Sequence, residues 1–166
     1  MNYSMIIFIL GHLLRYEAIF MLLPTITGFI YGEHEAVAFL WVAMVTFLIG
    51  TVLSCKSTDT KQLHPKDGSI TVAFGWIILS IFGALPFTLS GDIPFYVDAL
   101  FETISGFTTT GATVLTEVEA MSRGCLMWRS FTHWIGGMGV LVFIMAILPM
   151  TDGHGMHLMR AETPGP

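Results

Sequence analysis

Two stretches of this sequence, 36–53 and 70–89, contain no charged side chain at all. A helix that crosses the roughly 30 Å hydrocarbon layer of a bilayer needs about 20 predominantly apolar residues. Two further stretches approach that standard: 5–31, interrupted by Arg15 and Glu17, and 126–148, interrupted by Arg129 and His133. The composition agrees, with 54% hydrophobic and 11% charged residues, where soluble domains carry about 25% charged. These properties exclude a disordered chain, a coiled coil and a nucleic-acid-binding domain, and they argue against a soluble enzyme. The expected class is an all-α membrane protein with four spans.

The first run has no basic segment ahead of it and no small-x-small cleavage pattern, so it reads as a span and not as a signal peptide. Lys56, Lys61 and Lys66 in the loop 54–69, and Arg160 in the tail, place these segments on the cytoplasmic side together with the amino terminus. Cys55 and Cys125 then fall on opposite sides of the membrane and cannot pair. No CxxC or His/Cys cluster at zinc spacing is present. The outer segments hold Glu33, Glu35, Asp92, Asp98, Glu102, Glu117 and Glu119. Together they form either an acidic mouth that concentrates cations or ordinary solvated loops.

Between the third and fourth runs lies 95–107, too short to span but suited to a re-entrant helix of about 20 Å. Asp92 is placed to cap it, Pro94 to sit in its first turn and Gly106 to end it. The carboxyl end of such a helix carries partial negative charge toward the bilayer centre. The following segment, 108–113, reads Thr-Thr-Thr-Gly-Ala-Thr, with nothing that favours helix. Non-helical backbone at membrane depth is tolerated where it is buried in protein or lines a water-filled cavity. Gly111 permits positive φ, and carbonyls turned to one axis can replace the hydration shell of a monovalent cation. The competing reading is a Thr-rich external loop without an ion.

Ser-Gly-Phe-Thr-Thr-Thr-Gly-Ala-Thr-Val-Leu at 105–115 and Trp-Arg-Ser-Phe-Thr-His-Trp-Ile-Gly-Gly-Met-Gly-Val at 128–140 resemble the first pore repeat of the Trk/Ktr/HKT potassium transporters. The leading helix pair resembles the extra pair that precedes the pore in the Trk branch. The resemblance implies a helix pair at 1–55 and a cytoplasmic loop at 56–69. It implies a pore repeat at 70–150, made of helix 70–89, pore helix 95–107, filter 108–113 and helix 126–148, and then a tail at 151–166. It implies that the backbone carbonyls of Thr109, Thr110, Gly111 and Ala112 hold potassium as transported cargo, with no organic cofactor. The implied setting is potassium uptake, by symport or by channel-like passage, at the bacterial inner membrane. The implied partners are lipid, a second copy of the transporter and a cytosolic nucleotide-binding regulatory subunit.

The family arranges four such repeats around one pore, and this sequence has one. Either further copies assemble or the chain is a truncated portion of a longer transporter; the truncated reading is the one adopted. The alternative is a small four-span structural or interaction subunit that does not itself conduct. An enzyme is not expected, since no HExxH and no Ser/His or Asp/Asp pair sits in a span.

Four smaller expectations follow. Gly136, Gly137 and Gly139 allow close helix approach or provide a hinge, and Gly28 and Gly32 form a GxxxG pair. Arg129 and His133, four apart, share a helix face, and Arg129 either pairs with Glu102 or Glu117 behind the filter or snorkels outward. Arg15 and Glu17 sit at a packed helix interface or reach toward water. His154 and His157 give only a weak metal signal.

Overall fold

The computed structural model describes residues 3–55 and 65–147. These fold into helices α1 (Tyr3–Phe20), α2 (Leu22–Tyr31), α3 (Ala36–Ser54), α4 (Pro65–Ser90), α5 (Tyr96–Phe107) and α6 (Arg123–Ile147), with one 3₁₀ turn at Val118–Ala120. No strand is present among the described residues. Among the described residues, three helical stretches are long and apolar enough to cross a membrane: Tyr3–Tyr31, Ala36–Ser54 and Ile70–Ser90. On α3 the exposed side chains Trp41, Leu48 and Val52 recur at near-helical spacing, so an apolar face points outward, as lipid contact requires.

The first expected span is one path with a break at Met21. Pro24 lacks an N–H, and its ring presses on the carbonyl four residues back, which interrupts the helix there. Backbone bonds from Met21 N–H to Glu17 (2.9 Å) and from Thr25 N–H to Met21 (3.2 Å) carry the chain across the break. Gly32 is not half of a packing pair with Gly28. It ends α2 in the left-handed region, at φ 70, where a glycine adopts the conformation without a Cβ penalty. Gly28 alone packs, against Ala36.

The leading helices meet closely. A Cβ on Gly11 would lie 2.8 Å from the Gly50 carbonyl oxygen, and one on Gly50 would lie 2.7 Å from the Gly11 carbonyl oxygen. The two glycines thus let the α1 and α3 backbones touch. Arg15 and Glu17 both sit at packed interfaces. The Arg15 guanidinium lies 5.4 Å from the Phe47 ring centre on α3, and Glu17 is buried.

Two apolar clusters join this pair to the rest. Met5, Ile9 and Leu13 of α1 meet Val72 and Leu79 of α4 together with Phe107 and Ile135. Met21 and Phe39 meet Phe87, Ala99 and Trp128. The Trp128 indole N–H donates to the Gly83 carbonyl at 2.9 Å, which satisfies the polar edge of a fully buried ring.

Two expected boundaries move. α4 begins at Pro65 instead of 70. α6 begins at Arg123 and contains a break at Gly139, where φ is 70 and ψ 132. That conformation lies outside the helical region and is one that glycine tolerates. The tail with His154 and His157, and the lysines Lys56 and Lys61, lie outside the described residues.

Candidate functional site

α5 and the segment after it form the site. α5 is entered from extended backbone at Phe95, φ −89 and ψ 121, with no side-chain cap. The Asp92 cap and the placement of Pro94 in the first turn are therefore not realised. The Tyr96 hydroxyl instead ties the start of α5 to α4 by donating to the Ile81 carbonyl at 3.0 Å.

Gly106 does not end α5; the helix continues through Phe107. A Cβ at Gly106 would overlap the Thr132 side chain, and one at Gly136 would overlap the Phe107 carbonyl. These two glycines let the end of α5 rest directly on α6. Of the three α6 glycines singled out from the sequence, Gly136 makes the close approach, Gly137 faces open space and Gly139 bends the helix.

The chain then turns sharply. The amide N–H groups of Thr109 and Thr110 donate back to the Gly106 and Ser105 carbonyls at 2.9 and 3.0 Å, and that of Gly111 reaches Ser105 at 3.5 Å. Thr109 has φ 56 and Gly111 φ 74. In a trans peptide the N–H and C=O point in opposite directions. Amides directed at α5 therefore aim the carbonyls of Thr108, Thr109 and Thr110 away from it. No hydrogen bond among the described residues reaches the carbonyls of Thr109, Thr110 or Gly111. The Ala112 carbonyl differs: it accepts from the Ser105 hydroxyl at 2.6 Å. A carbonyl has two lone pairs, so this bond fixes its direction and leaves one acceptor position free.

Behind the segment stands a buried carboxylate. Glu102 is 1% exposed. Its Oε1 accepts from the Thr113 hydroxyl and from the Val114 amide at 2.8 Å, and its Oε2 accepts from Arg129 Nε at 3.0 Å. Arg129 thus pairs with Glu102, one of the two acids expected, and not with Glu117. His133 is satisfied locally, its Nδ1 lying 2.9 Å from the Arg129 carbonyl. Glu102, predicted among the outer acids, belongs to the interior.

Two more of those acids also have structural work. Glu33 accepts from the amides of Arg123 (2.7 Å) and Gly124 (3.0 Å), and Asp92 accepts from the Ser122 amide (3.0 Å) and hydroxyl (2.7 Å). Both acids satisfy otherwise orphaned donors at the start of α6. Replacing Glu33 with Ala should lower stability by about 1 kcal/mol, the usual cost of a lost cap. The check is the thermal unfolding midpoint of the chain in detergent. Glu35→Ala, which removes no hydrogen bond among the described residues, should leave the midpoint in place.

Sequence reasoning missed Ser105, Glu33 and the Asp92–Ser122 pair as positioning groups. Ser122 alone carried a local signal, as a serine directly ahead of a helix. The acids arrive from 30 and 90 positions away, which spacing does not reveal.

The sequence matches the TrkH family, described as a cation transport protein, over residues 35–166. The chain belongs to the TrkH family. It is 36% identical to the Trk system potassium uptake protein TrkH of Halomonas elongata over 168 residues, covering 100% of this chain and 35% of that protein. It is 38% identical to TrkH of Escherichia coli strain K12, over 88% of this chain and 31% of that one. The crystal structure of the potassium transporter TrkH from Vibrio parahaemolyticus superposes with a TM-score of 0.81 at 32% identity, over 98% of this chain and 36% of that one. This TrkH-family chain spans about a third of the length of the curated relatives it matches. The helix pair, pore helix, turn and closing helix read from the sequence therefore stand as the fold. The family is one of transporters and not enzymes.

Proposed function

We propose that this chain contributes one filter segment to a Trk-type potassium uptake system, and that the carbonyls of Thr109, Thr110, Gly111 and Ala112 face the ion. The observation that carries this reading is the direction of the amides. Three successive N–H groups are tied to the end of α5, which turns the Thr109 and Thr110 carbonyls outward on an exposed edge; Gly111 and Ala112 are included by the family resemblance. A row of acceptors with no donor opposite it suits a partly dehydrated cation and is costly beside lipid. A ring of such edges, contributed by further repeats or further copies, would complete the coordination. A proposed inner-membrane location, with the amino terminus, the 56–69 loop and the tail on the cytoplasmic side, follows the lysine distribution. Assembly of the complete transporter as a dimer and its regulation by a cytosolic nucleotide-binding subunit are proposed by family resemblance.

The test uses a chimera in which residues 1–166 replace the matching segment of Vibrio parahaemolyticus TrkH. Cys55 is exposed and unpaired, so it is first replaced by Ser. A Thr110→Cys variant should then react slowly with a water-soluble thiol reagent. Potassium should slow the reaction further, and sodium at the same concentration should not. Equal, fast labelling in both salts would reject the ion reading in favour of a small structural subunit with an external loop.

A further inference from the structure

Glu17 lies on α1, one turn ahead of the break at Met21. It is 3% exposed, and neither carboxyl oxygen has a hydrogen-bond partner among the described residues. Arg15 does not serve it, since its guanidinium lies over Phe47 on α3. Arg129 does not serve it either, being held by Glu102. The side chain borders a cavity of about 30 Å³ walled by Leu13, Tyr16, Phe20, Leu79, Phe107 and Ile135. Gly83 makes room for it: a Cβ there would lie 2.9 Å from Glu17 Oε1 and 3.0 Å from the Thr103 methyl.

The groups close to Glu17 on α4, α5 and α6 are uncharged, and α3, which packs along α1, contains no titratable residue. α4 brings Leu79 and Gly83, α5 brings Thr103 and Phe107, and α6 brings Ile135. From α1 itself Tyr16 is the one titratable neighbour in the lining. A buried carboxylate with no counter-charge is far costlier than the neutral acid.

We propose that Glu17 is a proton-binding site: a neutral carboxylic acid held in an apolar packing at the back of the pore helix. Phe107, the last residue of α5, forms part of the same wall. Loss of the proton would set a full negative charge beside a helix end that is already electronegative and push that end away from Glu17 on α1. Proton occupancy at Glu17 thereby acts on the filter turn without touching the ion.

The experiment is infrared difference spectroscopy on the chain in lipid nanodiscs at neutral pH, wild type against E17Q. The expected result is a protonated-carboxyl C=O band in the wild type that is lost in E17Q. Carboxylate bands alone at neutral pH would overturn the proposal. Should E17Q fail to fold, wild-type protein labelled with ¹³C-glutamate decides alone. Glu102 is paired with Arg129, and Glu33 accepts two amides, so a glutamic-acid band persisting at neutral pH assigns to Glu17. The link to the filter is read in the chimera: wild-type uptake should fall as pH rises, and E17Q uptake should stay flat. A pH response shared by both proteins would overturn that link. The spectroscopic arm involves no potassium, so its failure and the failure of the ion reading are separate results.

Discussion

Glu102→Ala should abolish potassium uptake in the chimera and lower the stability of the chain by about 3–5 kcal/mol, the range for breaking a buried ion pair from one side. The size follows from what one side chain does. Glu102 accepts from the Thr113 hydroxyl, the Val114 amide and Arg129 Nε. Truncation therefore releases the far end of the turn after α5 and leaves a guanidinium without its counter-charge, its side chain only 17% exposed. Arg129→Met should be damaging for the mirror-image reason, since it strands a carboxylate in the interior. The decisive measurement is a double-mutant cycle in unfolding free energy with Glu102→Gln, Arg129→Met and the two combined. The double variant should lose clearly less than the sum of the singles. Strict additivity would show that the pair does not act as a unit.

The second large effect is expected at Gly111. Its φ of 74 lies in the left-handed region, and a Cβ there meets no atom within 4 Å in this chain. The cost of Gly111→Ala is therefore conformational and not steric, about 1–2 kcal/mol for an L-residue in that region. A loss of that size is small for the whole fold. It is large for a turn whose geometry consists of a few amides held at 2.9 to 3.5 Å. Uptake by the chimera should fall to background with Gly111→Ala, while the unfolding midpoint of the chain drops by only a few degrees. Semisynthetic D-alanine at 111 has the opposite handedness and should restore uptake. If L-alanine conducts as well as glycine, the positive φ is not required.

The features legible in the sequence were those set by local chemistry. The uncharged runs became α3 and most of α4, and the short run at 95–107 became α5, Tyr96–Phe107. The threonine-glycine segment turned as Gly111 allowed. Features set by partners distant in sequence were not legible. Asp92 looks like a cap for the helix nearest to it, yet it is taken by Ser122, because the α6 start is the end that folding brings alongside. Gly106 looks like a helix terminator, yet Thr132 occupies the space its missing side chain leaves. Gly11 and Gly50 show no motif, since their contact joins two separate helices. A glycine that ends a helix and one that admits a neighbour are the same letter until the neighbour is known.

The two acids that meet the first turn of α6 come from different connections, Glu33 from between α2 and α3 and Asp92 from between α4 and α5. The leading helices and the helices α4 to α6 are thus latched at one rim by the same few amides. Peeling either away would uncover donors that nothing else along that rim replaces, so the two parts should denature in a single cooperative step instead of unzipping one after the other.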